Sequence, residues 1–227
     1  MPKKSKTPFY QLALDGDLEA IRKRLLIEAP GPQTNDFKRT PLMGAAMKLR
    51  LDAVRLLAPH SDPFYVDAFG HSFWDFCARA PELMKMALEC FDPQAHPDTV
   101  PSPLIQCISS SGHPNQKERM EALRLLIPRS DPNAVWKGKT ALETMADSLQ
   151  WEMADELAPF CARDHALVIF SFAGSAGGGS KMPRFKALLE AEALAEVLSI
   201  RAPAQDAHGF ADPMAAHKRP SRDSLRL

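Results

Sequence analysis

The sequence predicts an all-α chain whose helices come in pairs and pile side by side as a solenoid. Three observations carry that expectation: a helix-start marker that recurs, a second marker in step with it, and apolar residues at helical spacing between them. The first marker is Thr40-Pro41-Leu42, which returns as Ser72-Phe73-Trp74, Ser102-Pro103-Leu104 and Thr140-Ala141-Leu142, at intervals of 32, 30 and 38 residues. The second is Ser61-Asp62-Pro63, followed by Phe91-Asp92-Pro93 and Ser130-Asp131-Pro132. Self-similarity at a period of this length is the mark of a repeat array.

Each element has its own physical reason. Phe9, Leu12, Ala13 and Leu14 predict a first helix, and Gly16-Asp17 a turn. Leu18, Ile21, Leu25 and Leu26 predict the second helix of that unit. Asp15 and Asp17 flank the turn as capping carboxylates rather than as a catalytic pair. In the later units Thr or Ser opens the first helix, its hydroxyl accepting a bond from an early amide. Pro at the next position loses nothing, because that amide has no helical partner. Thr140 with Glu143 fits a reciprocal capping box. Ala45 and Ala46 are small enough for close helix contact, and Leu51, Val54, Leu56 and Leu57 form the second helix. Asp-Pro then closes the unit, since the residue before Pro is pushed out of helical geometry.

Thr40-Pro41-Leu42-Met43-Gly44-Ala45-Ala46, continuing through Val54-Arg55-Leu56-Leu57 to Asp62, resembles the ankyrin repeat, whose signature is T-P-L-H-x-A. The resemblance covers about Thr7 to Asp164 in five units: 7–34, 35–66, 67–96, 97–134 and 135–164. It implies a helix pair per unit and a hairpin-like loop at each junction. Met43 stands where the family has His, removing that residue's bracing. Leu49 stands near the usual glycine, so that turn is expected to be made differently. The third unit is short, the fourth carries an insertion around Ser109 to Gln116, and the fifth lacks the Ser-Asp-Pro ending. The tetratricopeptide alternative requires a W-x-x-L-G pattern, which is absent.

Beyond the array, residues 165–200 are expected to form a C-terminal segment with a Gly-rich linker at 174–180. A helix over about Pro183 to Ser199 would cap the stack, as repeat arrays require. Residues 201–227 are polar and are expected to be disordered. The apolar run Ala166 to Ala173 is far shorter than the roughly 20 residues of a membrane span, so it reads as a packed segment.

The totals narrow the function. Lys plus Arg number 28 and Asp plus Glu 28, so no basic surplus points to nucleic acid. Cys77, Cys90, Cys107 and Cys161 lack C-x-x-C spacing and read as buried free thiols in a reducing compartment. No secretory pattern follows the basic start, so a cytoplasmic, monomeric chain is expected, with delivery into a host cell left open.

Catalytic and metal motifs are weak. Gly174 and Gly179 have phosphate-loop separation, but Ser180 intervenes before Lys181. No G-x-S-x-G elbow is present. Cys161, Asp164 and His165 could share a helix face, yet a closed zinc site needs four ligands. That trio is the only support for an enzyme or metal-binding reading. A structural accessory subunit is a third reading. No cofactor or metal is expected. Lys218, Arg219, Arg222 and Arg226 near the end read as a solvated terminus.

What the resemblance implies instead is a protein-binding surface of loop tips and the exposed face of the first helices. The tip residues are Phe37, Lys38 and Arg39, then Phe69 and His71, then Trp136 and Lys137, with Phe64 and Tyr65 just ahead of the second tip. Aromatic and Arg side chains at exposed tips suit interface anchors, although some could tuck between neighbouring loops as local packing.

Overall fold

The computed structural model describes residues 7–32, 37–109, 115–175 and 181–201, with side chains described as far as Glu196. The basic start, most of the fourth-unit insertion, Gly177–Ser180 and Ala176 of the linker, and the tail beyond Arg201 lie outside them. Twelve helices and one two-stranded hairpin are described. They are α1 (Phe9–Asp15), α2 (Leu18–Leu25), α3 (Pro41–Met47), α4 (Leu51–Leu57), α5 (Phe73–Cys77), α6 (Pro81–Cys90), α7 (Pro103–Ser109), α8 (Gln116–Leu126), β1 (Val135–Trp136), β2 (Lys139–Thr140), α9 (Ala141–Asp147), α10 (Trp151–Leu157), α11 (Arg163–Ser175) and α12 (Pro183–Arg201).

The helices form two layers. In one, α1, α3, α5, α7, α9 and α11 each pack on the next; in the other, α2, α4, α6, α8 and α10 do the same. Between the layers lie Leu42, Leu57, Trp74, Leu83, Leu104, Leu123 and Leu142, all fully buried. Burying a side chain of this size contributes about 1.5–3 kcal/mol, so the stacking faces supply most of the cohesion.

The start marker works as its chemistry predicts. Thr40 Oγ1 accepts from the Met43 amide at 3.3 Å, Ser102 Oγ from Ile105 at 3.4 Å, and Thr140 Oγ1 from Glu143 at 3.2 Å. Glu143 answers by accepting the Thr140 amide at 2.7 Å. Ser72 and Asp75 form a second capping box, with the Ser72 amide donating to Asp75 at 2.6 Å. Bracing between units is present without a histidine at Met43. Gln106 receives the Ser72 hydroxyl from the preceding unit and donates to the Pro101 carbonyl at 2.7 Å.

The Asp-Pro marker acts differently from its expected role as a helix stop. After α4, α8 and α10 the chain has already tightened into 3-10 turns at Ala58–His60, Ile127–Arg129 and Ala158–Phe160. Pro59, Pro128 and Pro159 sit inside these turns and make a third marker in phase with the other two. Asp62, Asp92 and Asp131 then each accept the amide two residues on, at 2.8, 2.9 and 2.8 Å. The carboxylate therefore shapes the turn that launches the next loop. The fifth unit keeps this path without Ser-Asp-Pro. Cys161 donates to the Leu157 carbonyl at 3.6 Å as Ser61 donates to Leu57 at 2.9 Å.

Leu49 does not force a different turn. It adopts the left-handed conformation itself, at φ 53°, as Leu149 does at 56° and Gly16 at 76°. The Arg50 amide reaches back to Ala45 at 2.9 Å and the Leu49 amide to Ala46 at 3.0 Å, closing the helix end despite the strain at a β-carbon. Gly44 has a separate reason: an added β-carbon would lie 2.9 Å from the Tyr10 ring.

Loop-to-loop bonds run along the stack. The Ala68 amide donates to Phe37, Gln94 to the Arg129 carbonyl, and the Ala162 amide to Asn133, at 3.0, 3.3 and 2.8 Å.

The run Ala166–Ala173 is packed on one face only. In α11 Ala166, Ile169 and Ala173 are buried while Val168 and Phe172 are exposed. That helix continues through Gly174, so this glycine is helical and not part of a linker. The chain divides within α12. Up to Lys186 it belongs to the stack, where Asp155 of α10 accepts the Arg184 and Phe185 amides at 3.1 and 2.9 Å. From Ala187 the described residues of the second unit continue the helix, with Leu194 exposed. No described helix is long and apolar enough to cross a membrane.

Candidate functional site

The inner helices leave little free surface. Every residue of α5 is buried, as are Pro103–Ile108 of α7 and Pro41–Ala46 of α3. Phe37, Val66, Phe69 and Val135, by contrast, are exposed large apolar residues of the loop tips.

The first tip region is organised by a residue that the sequence reading passed over. Asp67 has a fully buried side chain, and its Oδ1 accepts the amides of Phe69 and His71 at 2.9 Å each. Its Oδ2 accepts Arg39 Nε at 3.0 Å. The Arg39 guanidinium in turn lies 5.3 Å from the Phe37 ring and 5.9 Å from those of Phe69 and Phe76. Cation–π attraction of this kind is worth about 0.5–2 kcal/mol, more as water is excluded. Phe37 and Phe69 stack at 5.6 Å, yet remain 46% and 60% exposed. Two aromatic faces are thus fixed in place while still open to a partner. A signal for Asp67 did exist: Asp two residues before Phe69-Gly70 is an Asx-turn pattern.

Not every expected anchor is available. Phe64 is buried, with its ring 6.2 Å from Trp74 and 6.4 Å from His96, so it packs and does not present a surface. Tyr65 is half-buried. His71 lies between the Phe69 and Phe76 rings, with Nδ1 3.8 Å from Asp67 and without a hydrogen bond. Lys38 holds a left-handed turn at φ 52°.

The second tip region is a hairpin. Val135 pairs with Thr140 and Trp136 with Lys139. Lys137 and Gly138 turn the chain with φ 51° and 78°, the two left-handed values a tight hairpin needs. Trp136 is half-buried, and the Lys137 ammonium stands 5.8 Å from its ring. Lys139 pairs with Asp147.

Comparison with solved structures decides the architecture. The ankyrin repeat domain of Bcl-3, of the IkappaB protein family, matches 70% of this chain and 74% of its own, at 21% identity and TM-score 0.55. The ankyrin repeat protein EF0377 matches 81% of this chain and 98% of its own, at 15% identity and TM-score 0.59. This chain has the ankyrin-repeat fold. No family model and no curated relative matches the sequence, so the likeness rests on architecture.

Within the ankyrin stack the trio considered for catalysis does not converge. Cys161 faces the carbonyls of Leu157 and Pro132, and burial pushes its thiol up to about 12. His165 turns to Glu143 at 3.2 Å, and Asp164 is exposed. Among the described residues no three His, Cys, Asp or Glu side chains gather as metal ligands would. Cys77 and Cys107 are fully buried in the first-helix layer, where desolvation holds Cys77 well above its ordinary value and Cys107 at about 12. Thiols so protonated are packing groups, not nucleophiles. Cys90, half-buried, is also raised by burial.

Proposed function

We propose that this ankyrin-fold chain is a protein-interaction module that captures another protein through its loop tips. The observation that carries the reading is the exposed Phe37–Phe69 pair, held outward by the Asp67–Arg39 bond. Prefixed aromatic side chains offer contact area without the ordering cost that flexible anchors bring. Trp136 supplies a second anchor, with the Lys137 ammonium beside its ring, and Lys38 turns the chain between Phe37 and Arg39. Tyr65 and His71 flank the first anchor. Four free cysteines suit a reducing compartment such as the cytoplasm.

The test uses the full chain. Phe69→Ala and Trp136→Ala should each weaken partner capture about tenfold or more, the loss typical of a truncated hot spot. Far-ultraviolet circular dichroism should show unchanged helicity. If both variants retain every protein that the parent captures, the tips are not the binding surface.

A further inference from the structure

A cleft of about 180 Å³ opens between the loops of units four and five. It is lined by His96, Asp98, Val100, Ile105, Ala134 and Trp136. Small-molecule sites run to about 300–1,000 Å³, so this volume suits one side chain rather than a cofactor.

The lining specifies which side chain. Ile105, Val100 and Ala134 make an apolar wall, with Ile105 itself buried. Asp98 is exposed at the same opening and makes no hydrogen bond or ion pair among the described residues. Neither Lys137 nor Lys139 lines the cleft: Lys139 pairs with Asp147, and Lys137 stands over the Trp136 ring. His96 is held beside Phe64, its Nδ1 3.4 Å from the Pro97 carbonyl. An apolar wall, an aromatic face and an unpaired carboxylate together match a long aliphatic stem with a cationic head.

We infer that this cleft receives a single Lys or Arg side chain of the protein partner, an inference that rests on the interaction-module reading. The stem lies against Val100, Ile105, Ala134 and the edge of the cleft at Trp136, and the charged head lies at Asp98. A Glu side chain would meet Asp98 and be repelled.

The experiment titrates the isotope-labelled full chain with Nα-acetyl-lysine methylamide and Nα-acetyl-arginine methylamide, followed by nuclear magnetic resonance. The norleucine and glutamate analogues serve as controls. Both cationic probes should move the Trp136 indole, Ile105 and Ala134 signals saturably in the millimolar range. Asp98→Asn should weaken them about three- to tenfold, the loss expected for one partly exposed charge contact. Equal binding by norleucine, no effect of Asp98→Asn, or no saturable shift at these three residues overturns the assignment. Partner capture separates the two readings. Loss with Phe69→Ala but not with Asp98→Asn removes the cleft and leaves the module; retention in Phe69→Ala and Trp136→Ala removes the module itself.

Discussion

The two tip regions solve one problem in opposite ways. At the first, Asp67 turns inward and gathers two amides and Arg39 around a buried carboxylate. At the second, Val135 takes the corresponding place ahead of the turn and stays 65% exposed, while backbone pairing with Thr140 holds the loop. One tip is tied by side chains and the other by main chain. The difference teaches that an exposed anchor is stiffened either by what lies beneath it or by its own strand partner, and the two should fail differently.

The sharpest break is Asp67→Ala. It leaves Arg39 without its carboxylate and two amides without an acceptor, so stability should fall by about 2–4 kcal/mol in urea denaturation. A loss below about 0.5 kcal/mol would mean the buried network is not what holds the first tip, since changes of that size are ordinary for surface sites. The turns come next. Lys38→Gly and Lys137→Gly relieve left-handed strain, and each should gain about 0.5–1 kcal/mol. A larger gain at Lys137 would show that the hairpin depends more on its turn than the first tip does.

A smaller effect appears in acid. Glu143 at the base of the hairpin has its carboxyl lowered, chiefly by the Thr140 amide bond. A carboxylate lowered by folding adds stability above its unfolded value of about 4.3, and that stability is lost as pH falls through the folded value. The protection of the Thr140 amide, corrected for its intrinsic exchange rate, should therefore fall below about pH 4, by less than about 1 kcal/mol for a group this exposed. Glu143→Gln should abolish the pH dependence of that protection. The smallest effect is Trp136→Ala, which should change stability by no more than about 0.5 kcal/mol while still costing partner capture.

The layered fold was legible because its signals are local. Thr40, Ser72, Ser102 and Thr140 cap helices through bonds spanning two or three residues, and such bonds leave a pattern in the chain. Gly16 predicted its turn, but Leu49 and Leu149 hide theirs, because an exposed leucine held left-handed by backbone bonds has no residue signature. The same limit applies at the tips. Phe69 and Trp136 were visible as aromatic residues in loops. The burial of Phe64 depends on Trp74 and His96, which lie 10 and 32 positions further along. The Asx turn of Asp67 was legible beside Phe69-Gly70, but its bond to Arg39, 28 residues away, was not.

The bonds from Ala68 to Phe37, from Gln94 to Arg129 and from Ala162 to Asn133 each join one junction of the stack to a neighbouring one. Such stitches carry tension in series. Drawn apart from its ends, the array would give way one seam at a time, each opened seam lengthening the molecule while the rest stayed shut.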